Sequence, residues 1–331
     1  MLGTHFEAEI RQQPGLWRKL AASDLPARLA ASFEASEVCF IGSGSSLVAG
    51  ELGAIALLRC GIRANALAAT EAAFAIEGVR DATVVAISQS GQSGDVLKAL
   101  DAIAPRRLVA ITNDASSPLA QRANDVIELG VGIEEAIPAT KSVSTTMALL
   151  LLAASQRMGT LQADAAALVH AADAIALWLG NEAADMTDYS RQVAMRPSIA
   201  ILGSGYGVPV ARELALKFKE ASYLHAEAFA AGEFRHGSMA MLDPSYSVFA
   251  ITDNASREAI APHLEAAREL QALCLTIGAD VDGVQRIDRI VAPKPFELLG
   301  WLTAGQMLAL AVGRVRFVDS DAPRGLSKYV R

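Results

Sequence analysis

Short apolar runs alternate along the chain with longer stretches in which apolar residues recur every three or four positions. The short runs are rich in β-branched residues and predict strands, whereas the longer stretches predict helices. The predicted strands are 37–41, 82–87, 107–112, 126–129, 198–202, 247–252 and 273–277, and helical spacing is clearest at 212–224 and 296–315. This alternation predicts an α/β fold with parallel sheets and crossover helices.

Part of the first half recurs in the second half. Segment 40–44 (Phe-Ile-Gly-Ser-Gly) returns as 201–205 (Ile-Leu-Gly-Ser-Gly), and 85–88 (Val-Ala-Ile-Ser) aligns with 249–252 (Phe-Ala-Ile-Thr). The second copy begins about half a chain length after the first. Strand therefore follows strand in the same order twice, which predicts the duplication of one domain.

A helical stretch rich in Ala and Leu, at about 163–186, is predicted to bridge the two copies. We place the domain boundary near residue 185. The first domain would then cover 1–185, with an N-terminal helix and the linker helix, and the second 186–331, with a C-terminal catalytic tail.

Composition narrows the classes of function. Of the 331 residues 52% are hydrophobic and 20% charged, which excludes wholesale disorder. The formal net charge of −7 and the absence of a Lys/Arg run argue against a nucleic-acid partner. The start of the chain lacks a secretory signal, and the apolar stretch 147–154 is far shorter than the ~20 residues that cross a bilayer. We therefore expect a cytoplasmic protein with no membrane contact.

The three cysteines predict neither a metal site nor a disulfide. Cys39, Cys60 and Cys274 are scattered without metal-type spacing, and Cys39 and Cys274 lie inside predicted strands. We expect buried, reduced thiols.

A loop rich in hydroxyl and amide groups follows the predicted strand 82–87. Segment 88–95 reads Ser-Gln-Ser-Gly-Gln-Ser-Gly-Asp and precedes a helical pattern. Free backbone N–H groups and the positive end of the helix dipole favour a phosphate at such a place. The alternative is that Ser93 only caps the helix and the rest is a turn.

The glycine turn 42–46 (Gly-Ser-Gly-Ser-Ser) also follows a strand and could add hydroxyls from the neighbouring strand end. The alternative is a tight turn without a ligand. Leu47 occupies the position of the third glycine of a dinucleotide fingerprint, so that interpretation is disfavoured.

Glu213, Lys217 and Glu220 fall on one stripe of a predicted helix. One interpretation is a solvated stripe with helix ion pairs. The other is a functional cluster, because two histidines, His225 and His236, and further carboxylates follow closely.

This second cluster allows two kinds of chemistry. A metal site of His225, Glu227 and His236 is disfavoured because its spacing matches none of the helical zinc signatures. Proton transfer between adjacent sugar carbons suits Glu220 as a base and His236 as a near-neutral acid. His225 could equally be a structural histidine.

The C-terminal segment carries Lys328 close to the chain end, after Pro323 and Gly325. A frayed tail with a solvated lysine is the usual case. A Lys328 packed over a cleft could instead form a Schiff base with a sugar carbonyl.

Four segments together identify a resemblance: 87–91, 137–141, 217–237 and 323–330 occur in this order. The chain resembles the tandem sugar-isomerase (SIS) domain proteins and is similar to the isomerase half of glucosamine-6-phosphate synthase. The resemblance spans nearly the whole sequence, and 219–229 is its most specific block. It implies two flavodoxin-like domains, each a parallel sheet between helices in a three-layer α/β/α arrangement.

The resemblance also implies roles for individual residues. The phosphate-binding residues would be Ser45, Ser46, Ser88, Gln89, Ser90 and Ser93, with Ala139 and Glu220 lining the sugar site. The catalytic residues would be Glu220 as the base between C1 and C2, Lys217 as its helper, His236 for ring opening and Lys328 as a contact to the open-chain sugar. His236 would come from the partner subunit, which implies a homodimer.

The synthase begins with a glutaminase domain, whereas this sequence starts at Met1 and runs directly into the first sugar domain. It therefore looks like the synthase-like deaminases, which convert glucosamine 6-phosphate to fructose 6-phosphate and ammonia. We expect no metal and no redox cofactor, because the imine supplies the electron sink.

Other activities stay open on sequence grounds. One is a deglycase for 6-phosphorylated fructosyl-amino acids, and another is a different ketose/aldose-phosphate isomerase. A non-catalytic sugar-phosphate sensor is disfavoured, because 4–35 lacks a basic recognition helix and a sensor needs no proton-transfer base.

Overall fold

The computed structural model describes residues 2–34, 37–181 and 186–328. Within these ranges the chain forms two parallel sheets. The strands of the first sheet are β1 (Glu37–Gly42), β2 (Arg63–Ala68), β3 (Thr83–Ile87), β4 (Arg107–Thr112) and β5 (Asp125–Glu128). Those of the second are β6 (Ser198–Gly203), β7 (His225–Ala230), β8 (Tyr246–Thr252), β9 (Leu273–Gly278) and β10 (Gln285–Arg286).

The two sheets repeat one topology. The strand order is β2-β1-β3-β4-β5 in the first sheet and β10-β9-β8-β6-β7 in the second. Read from the opposite edge, the second order places β6, β7, β8, β9 and β10 where the first places β1, β2, β3, β4 and β5. The predicted α/β class and tandem duplication are confirmed.

Helices connect the strands. In and before the first sheet they are α1 (Thr4–Ala21), α2 (Leu25–Ala31), α3 (Ser45–Arg59), α4 (Ala69–Ala72), α5 (Ile76–Val79), α6 (Gly94–Ile103) and α7 (Pro118–Arg122). Next in sequence are α8 (Lys141–Met158), α9 (Leu161–Asn181) and α10 (Thr187–Ala194). The second half adds α11 (Gly207–Ser222), α12 (Arg257–Glu269) and α13 (Glu297–Val315), and 3₁₀ turns lie at Ser32–Glu34, Ala231–Arg235 and Ser238–Met241.

The seven predicted strands are present with ends shifted by at most a residue, but the sequence prediction missed β2, β7 and β10. The first two are edge strands of their sheets, and β10 is an edge strand of two residues. Their residues are partly exposed, so they lack the continuous apolar run of a central parallel strand. The polar segment that starts at His225 is therefore a strand, although its charged residues do not predict one.

The N-terminal unit comprises Gly15–Glu134, Ala139–Val169 and Ser327–Arg331. Its sheet is covered on both faces. On one face Ala86 and Ala110 of the central strands belong to the same buried cluster as Val96 and Ile103 of α6. On the other, α3 packs directly on β1, because a Cβ added at Gly50 would lie 2.8 Å from the Cβ of Phe40.

The C-terminal unit comprises Met1–Pro14, Glu135–Pro138 and His170–Leu326. Val248 and Ala250 of β8 share a buried cluster with Ile260 of α12. On the opposite face Phe218 of α11 meets Phe249 edge to face, with ring centroids 6.4 Å apart. Each sheet is thus the middle layer of three, as the resemblance implied.

The N-terminal part of α1 contacts α13 and the segment that follows it. The backbone N–H of Phe6 donates to Asp321 Oδ1 at 2.7 Å, and the Gln13 amide donates to Gln306 Oε1 at 2.9 Å. The predicted boundary near residue 185 lies outside the described residues, so the division at 185 stays a prediction.

Two helices are long and apolar enough, by length and composition alone, to cross a membrane: α9 and α13. In α13 83% of the relevant window is buried, as in the core helix of a soluble protein; in α9 the share is 33%. Such helices are weak grounds for a membrane span. The sequence prediction had considered only 147–154, which is buried inside α8.

Candidate functional site

The loop after β3 is held in shape by its backbone. The N–H of Ser88 donates to the Ile111 carbonyl at 3.0 Å, and the carbonyl of Gln89 accepts from the N–H of Asn113 at 2.9 Å. The carbonyl of Gly91 accepts from the N–H of Leu119 at 3.0 Å. The loop is therefore fixed to the neighbouring β4 and α7 segments without using its own side chains.

Gly91 allows the loop to turn. Its φ is +63°, a region that side-chain-bearing residues rarely occupy, and an added Cβ would lie 2.0 Å from Ser117 Oγ. Ser117 in turn caps α7 by accepting from the Ala120 N–H at 3.3 Å. The position therefore requires glycine for two reasons, backbone conformation and space.

Several polar groups of the loop have no partner in the described part of the chain. The hydroxyls of Ser88 and Ser93 and the amide of Gln89 make no hydrogen bond to another described residue, and neither does the hydroxyl of Ser46 at the start of α3. Ser90 Oγ accepts from the Gln92 N–H at 3.1 Å. Ser93 is the N-cap residue of α6 but makes no side-chain cap bond, so capping does not account for it.

A small pocket of about 30 Å³ lies beside this loop in the N-terminal unit. Four of the predicted ligand-binding residues line it: Ser45, Ser46, Gln89 and Ala139. Ser45 and Ser46 begin α3, whose N-cap Gly44 has a φ of +57°. Ser88, Ser90 and Ser93 lie on the loop itself, outside the pocket lining. That these residues bind phosphate stays a prediction.

Ser142 and Thr146 also line the pocket but were missed by the sequence analysis. Both lie at the start of α8, one turn apart, and the Thr146 hydroxyl donates to the Ser142 carbonyl at 2.8 Å. The signal that could have revealed them is the hydroxyl-rich run 140–146 at the head of an apolar helix.

A buried carboxylate, Glu134, holds the start of α8. It accepts from the backbone N–H groups of Thr140 and Ser142 at 3.0 and 3.1 Å, and from the Ser142 hydroxyl at 2.7 Å. The Lys328 ammonium lies 3.5 Å from Glu134 Oε2, and the Lys328 side chain is 19% exposed. The expectation of a freely solvated lysine is therefore wrong.

The charged stripe of α11 is not solvated. The side chains of Glu213 and Lys217 are 0% exposed and that of Glu220 is 16% exposed. Lys217 Nζ lies 2.5 Å from Glu220 Oε2 and 3.4 Å from Glu213 Oε1. The stripe is therefore a buried charge cluster in which only Glu220 reaches solvent, and the surface-stripe interpretation is wrong.

The charges of this cluster support one another. Burial alone would lower the pKa of Lys217, but the carboxylates of Glu220 and Glu213 outweigh burial and raise the pKa above its ordinary value. Lys217 is therefore an ammonium, and it holds two carboxylates in fixed positions. Desolvating a lysine is costly unless it is paired in this way.

His225 and His236 make no hydrogen bond or ion pair with the charge cluster of α11 in the described ranges. His225 begins β7 with its side chain 64% exposed, 4.0 Å from Glu227. His236 is exposed after the 3₁₀ turn Ala231–Arg235, and in the described ranges no hydrogen bond or ion pair joins it to Glu220. Among the described residues no His, Cys, Asp and Glu group has metal-binding geometry. Whether His236 acts across a subunit interface stays a prediction.

The corresponding loop after β8, in the C-terminal unit, is filled by its own side chains. Asp253 Oδ1 accepts from the Ser256 N–H at 2.8 Å and from the Ser256 hydroxyl at 2.6 Å. A carboxylate of the chain thus takes the hydrogen bonds of Ser256, the N-cap residue of α12, whereas the hydroxyl of Ser93, the N-cap residue of α6, makes no cap bond. Burial raises the pKa of Asp253, but hydrogen bonds from Lys294 and Ser256 dominate and lower it to about 2.

The cysteines are free thiols outside these sites. Burial raises the pKa of Cys39 to about 12 and that of Cys274 to about 11, so both are protonated and unreactive. Cys60 is half-buried, and burial raises its pKa too.

The fold and the polar strand ends define a doubly wound α/β protein with a preformed loop suited to a small ligand. Comparison with known sequences then gives the family. The sequence profile described as the SIS domain matches residues 33–156 and 193–283. The chain belongs to the SIS-domain family, in agreement with the resemblance found in the sequence.

Individual relatives agree with this assignment. A glutamine–fructose-6-phosphate aminotransferase (isomerizing) from Pyrobaculum aerophilum is 32% identical, with 97% of this chain and 56% of the relative aligned. This chain spans about half the length of the curated relatives it matches.

Solved structures share the fold. One is the C-terminal domain of glucosamine-fructose-6-phosphate aminotransferase from Francisella tularensis, with a TM-score of 0.88, 20% identity, and coverage of 96% of this chain and 98% of that one. Another is glucosamine-6-phosphate deaminase from Thermotoga maritima, with a TM-score of 0.80, 22% identity and 99% of both chains covered.

Proposed function

We propose that the chain is an enzyme that converts glucosamine 6-phosphate and water to fructose 6-phosphate and ammonia. The observation that carries this proposal is the charge cluster of α11, in which the buried Lys217 fixes Glu220 while Glu220 keeps access to solvent. A fixed carboxylate open to solvent suits the removal of a proton from carbon. A protein that only binds its ligand needs no such fixed base.

The loop after β3, residues 88–93, would bind the substrate's phosphate. Support comes from the unpartnered hydroxyls of Ser88 and Ser93, the amide of Gln89 and the backbone-fixed path of the loop. Phosphate oxygens accept hydrogen bonds from such donors, and a loop already in shape loses little entropy on binding. The relative named for fructose 6-phosphate also supports a phosphosugar substrate.

The reaction would run through the open-chain sugar. His236 of a partner subunit would help to open the ring, in a homodimer. Glu220 would remove the proton from C2, and the C2–H electrons would form the C1–C2 double bond as the C1 carbonyl becomes an enol. Return of the C2 proton to C1, together with transfer of one amine proton to O1, leaves an imine at C2, and water hydrolyses this imine to the ketone and ammonia.

Two lysines would assist this sequence. Lys217 keeps Glu220 in place and offsets its charge. Lys328, held near the start of α8 by Glu134, would contact the open-chain sugar. The similarity to an isomerizing aminotransferase and the fold shared with a glucosamine-6-phosphate deaminase support this chemistry.

The first experiment is a substrate panel. Purified protein is incubated with glucosamine 6-phosphate, fructosyl-amine 6-phosphates and unmodified aldose 6-phosphates, while free ammonia and fructose 6-phosphate are measured. We expect equal amounts of both products from glucosamine 6-phosphate. Turnover of fructosyl-amines alone would indicate a deglycase, isomerisation without ammonia an isomerase, and binding without turnover a sensor.

The second experiment tests Glu220. Glu220→Gln is expected to lower kcat by about 10²–10⁴-fold while the protein stays folded, because a general base contributes that much. Solvent deuterium should enter C1 of the product with the parent protein and not with the variant. The matched control is Glu227→Gln, an exposed carboxylate of the same unit. Activity of Glu220→Gln equal to that of the control would remove Glu220 as the base.

A further inference from the structure

Asn113 directly follows β4 and holds segment 129–134, which leads from β5 towards α8. Its side-chain Oδ1 accepts from the Val131 N–H at 2.9 Å, and its Nδ2 donates to the Gly132 carbonyl at 2.8 Å. One partner is a donor and the other an acceptor, a pair that a side-chain amide serves and a carboxylate does not. Two bonds to consecutive residues fix the orientation of the segment as well as its distance.

The segment depends on such bonds because it contains two glycines. Gly130 and Gly132 have φ values of +62° and +72°, and an added Cβ would meet nothing within 4 Å at either position. Glycine loses more conformational freedom on folding than other residues. The bond to Val131 lies between the two glycines and so limits this freedom where it is greatest.

The segment ends at Glu134, which holds Lys328. Glu134 follows Gly132 by two residues, and its side chain is 1% exposed. It binds the first N–H groups of α8 and lies 3.5 Å from the Lys328 ammonium. A change in the path of Val131 and Gly132 therefore reaches Lys328 through this carboxylate.

The main chain of Asn113 serves the other part of the candidate site. Its N–H donates to the Gln89 carbonyl at 2.9 Å, within the loop after β3. Any residue except proline can supply this bond, whereas the bonds to Val131 and Gly132 require the side chain. A substitution at position 113 should therefore release segment 129–134 and leave the loop after β3 in place.

We infer that Asn113 is a positioning residue of the candidate site: it holds Lys328, through Glu134, at a fixed place relative to the loop after β3. The inference rests on the proposed function, in which that loop binds the phosphate and Lys328 contacts the open-chain sugar. The two ends of one substrate are then set against each other by a single residue. Loss of the Asn113 side chain should impair turnover and spare phosphate binding.

The first test measures the position of Lys328 without turnover. The full chain is treated with acetic anhydride, and mass spectrometry gives the acetylation rate of Lys328 relative to the exposed Lys98. A lysine released from its carboxylate is more accessible to the reagent, so Asn113→Ala is expected to raise this relative rate by about 3- to 10-fold, the worth of a hydrogen bond. The control is Asn124→Ala, because Asn124 Oδ1 also accepts from a backbone N–H, that of Leu108 at 2.7 Å, at the opposite end of β4. The control should leave the rate unchanged.

Asn113→Asp provides a second variant in case Asn113→Ala does not fold. It keeps the acceptor for Val131 and loses the donor for Gly132, so we expect a change in the same direction. Circular dichroism checks that each variant is folded. A Lys328 rate equal to that of the parent in every folded variant at position 113, or an equal change in Asn124→Ala, would overturn the inference.

The second test separates turnover from binding. Asn113→Ala should lower kcat on glucosamine 6-phosphate by about 3- to 10-fold, while the dissociation constant of inorganic phosphate, measured by calorimetry, changes by less than about twofold. In a Lys328→Ala background the same substitution should lower kcat no further, because the two residues act in one chain of contacts. Equal losses in both backgrounds would show a general structural effect and contradict the inference. A parent without turnover would refute the proposed reaction and leave the acetylation rates to decide this inference.

Discussion

Lys328 places its ammonium 3.5 Å from Glu134, a carboxylate whose side chain is 1% exposed. Glu134 also binds the first backbone N–H groups of α8, so one side chain serves both the helix start and the end of the chain. A lysine near a chain end is thereby given a fixed position, which a Schiff base or a substrate contact would require.

Replacing this carboxylate should destabilise the protein. Glu134→Gln is expected to lower the free energy of unfolding by about 1.5–3 kcal/mol, because hydrogen bonds to a charged acceptor are lost. Urea denaturation gives the value. Glu135→Gln is the control, since its side chain is 55% exposed, and should change stability by less than about 0.5 kcal/mol. Equal effects of the two variants would contradict the role assigned to Glu134.

Removing the buried ammonium of α11 should cost more. Lys217→Met removes the ammonium that binds the carboxylates of both Glu213 and Glu220, which is expected to cost about 3–5 kcal/mol. Adding Glu213→Gln should recover part of this loss, because it removes one of the carboxylates. Denaturation of the parent, single and double variants provides the comparison. A double variant no more stable than Lys217→Met would show that charge does not dominate here.

The same lysine predicts an alkaline dependence of stability. Its pKa is raised above the ordinary value of 10.5, since its partner carboxylates outweigh burial. Its contribution is therefore complete below pH 10.5 and is lost as pH rises through the higher pKa of the folded state. The stability difference between the parent and Lys217→Met should shrink above pH 10.5. A difference independent of pH up to pH 12 would contradict a charged Lys217.

Gly91→Ala should be much worse than an ordinary glycine replacement. Both a φ of +63° and a clash with Ser117 oppose a Cβ at this position. Gly61→Ala is the matched control, because its φ is +77° but nothing lies within 4 Å. We expect about 1–2 kcal/mol for the control and at least about 1–3 kcal/mol more for Gly91→Ala. Calorimetric unfolding of both variants measures the difference, and equal losses would exclude the clash.

Asp253 should titrate far below a free aspartate. Its pKa of about 2 reflects burial, which raises it, and the stronger opposing effect of Lys294 and Ser256. Its stabilising effect is thus present above the ordinary value of 3.8 and lost as pH falls through about 2. Lys294→Met should raise the pKa, whereas the exposed control Lys98→Met should not. Carboxyl ¹³C shifts followed against pH measure the pKa of Asp253 in each variant. A pKa that Lys294→Met leaves unchanged would refute the pairing.

The central strands were predictable because they are buried on both faces. Each reads as an apolar run, as in Val84, Val85 and Ala86, with a loop on either side. The edge strands β2 and β7 were not predictable in this way, since one side of each meets solvent and residues such as Arg63 and Glu227 occur within them.

The sequence identified several residues of the candidate site, but it did not show their burial or their partners. Motif resemblance singled out Lys217 and Glu220, but spacing alone could not show that the stripe is buried, because burial depends on α13 packing on α11. Gly305 of α13 lies so close to Leu214 that an added Cβ would be 2.4 Å away. Glu134 carried no local signal, since its partners depend on how the chain returns to it.

The main-chain bonds that fix the loop after β3 leave its side chains free to vary. Substitutions at positions 88, 90 and 93 should therefore change the polar groups that the loop presents without altering its path. The corresponding loop after β8 is one example, because Asp253 there accepts hydrogen bonds from Ser256 of the same loop. In a duplicated protein the two copies of one loop can therefore keep the same main-chain path while their side chains make different contacts.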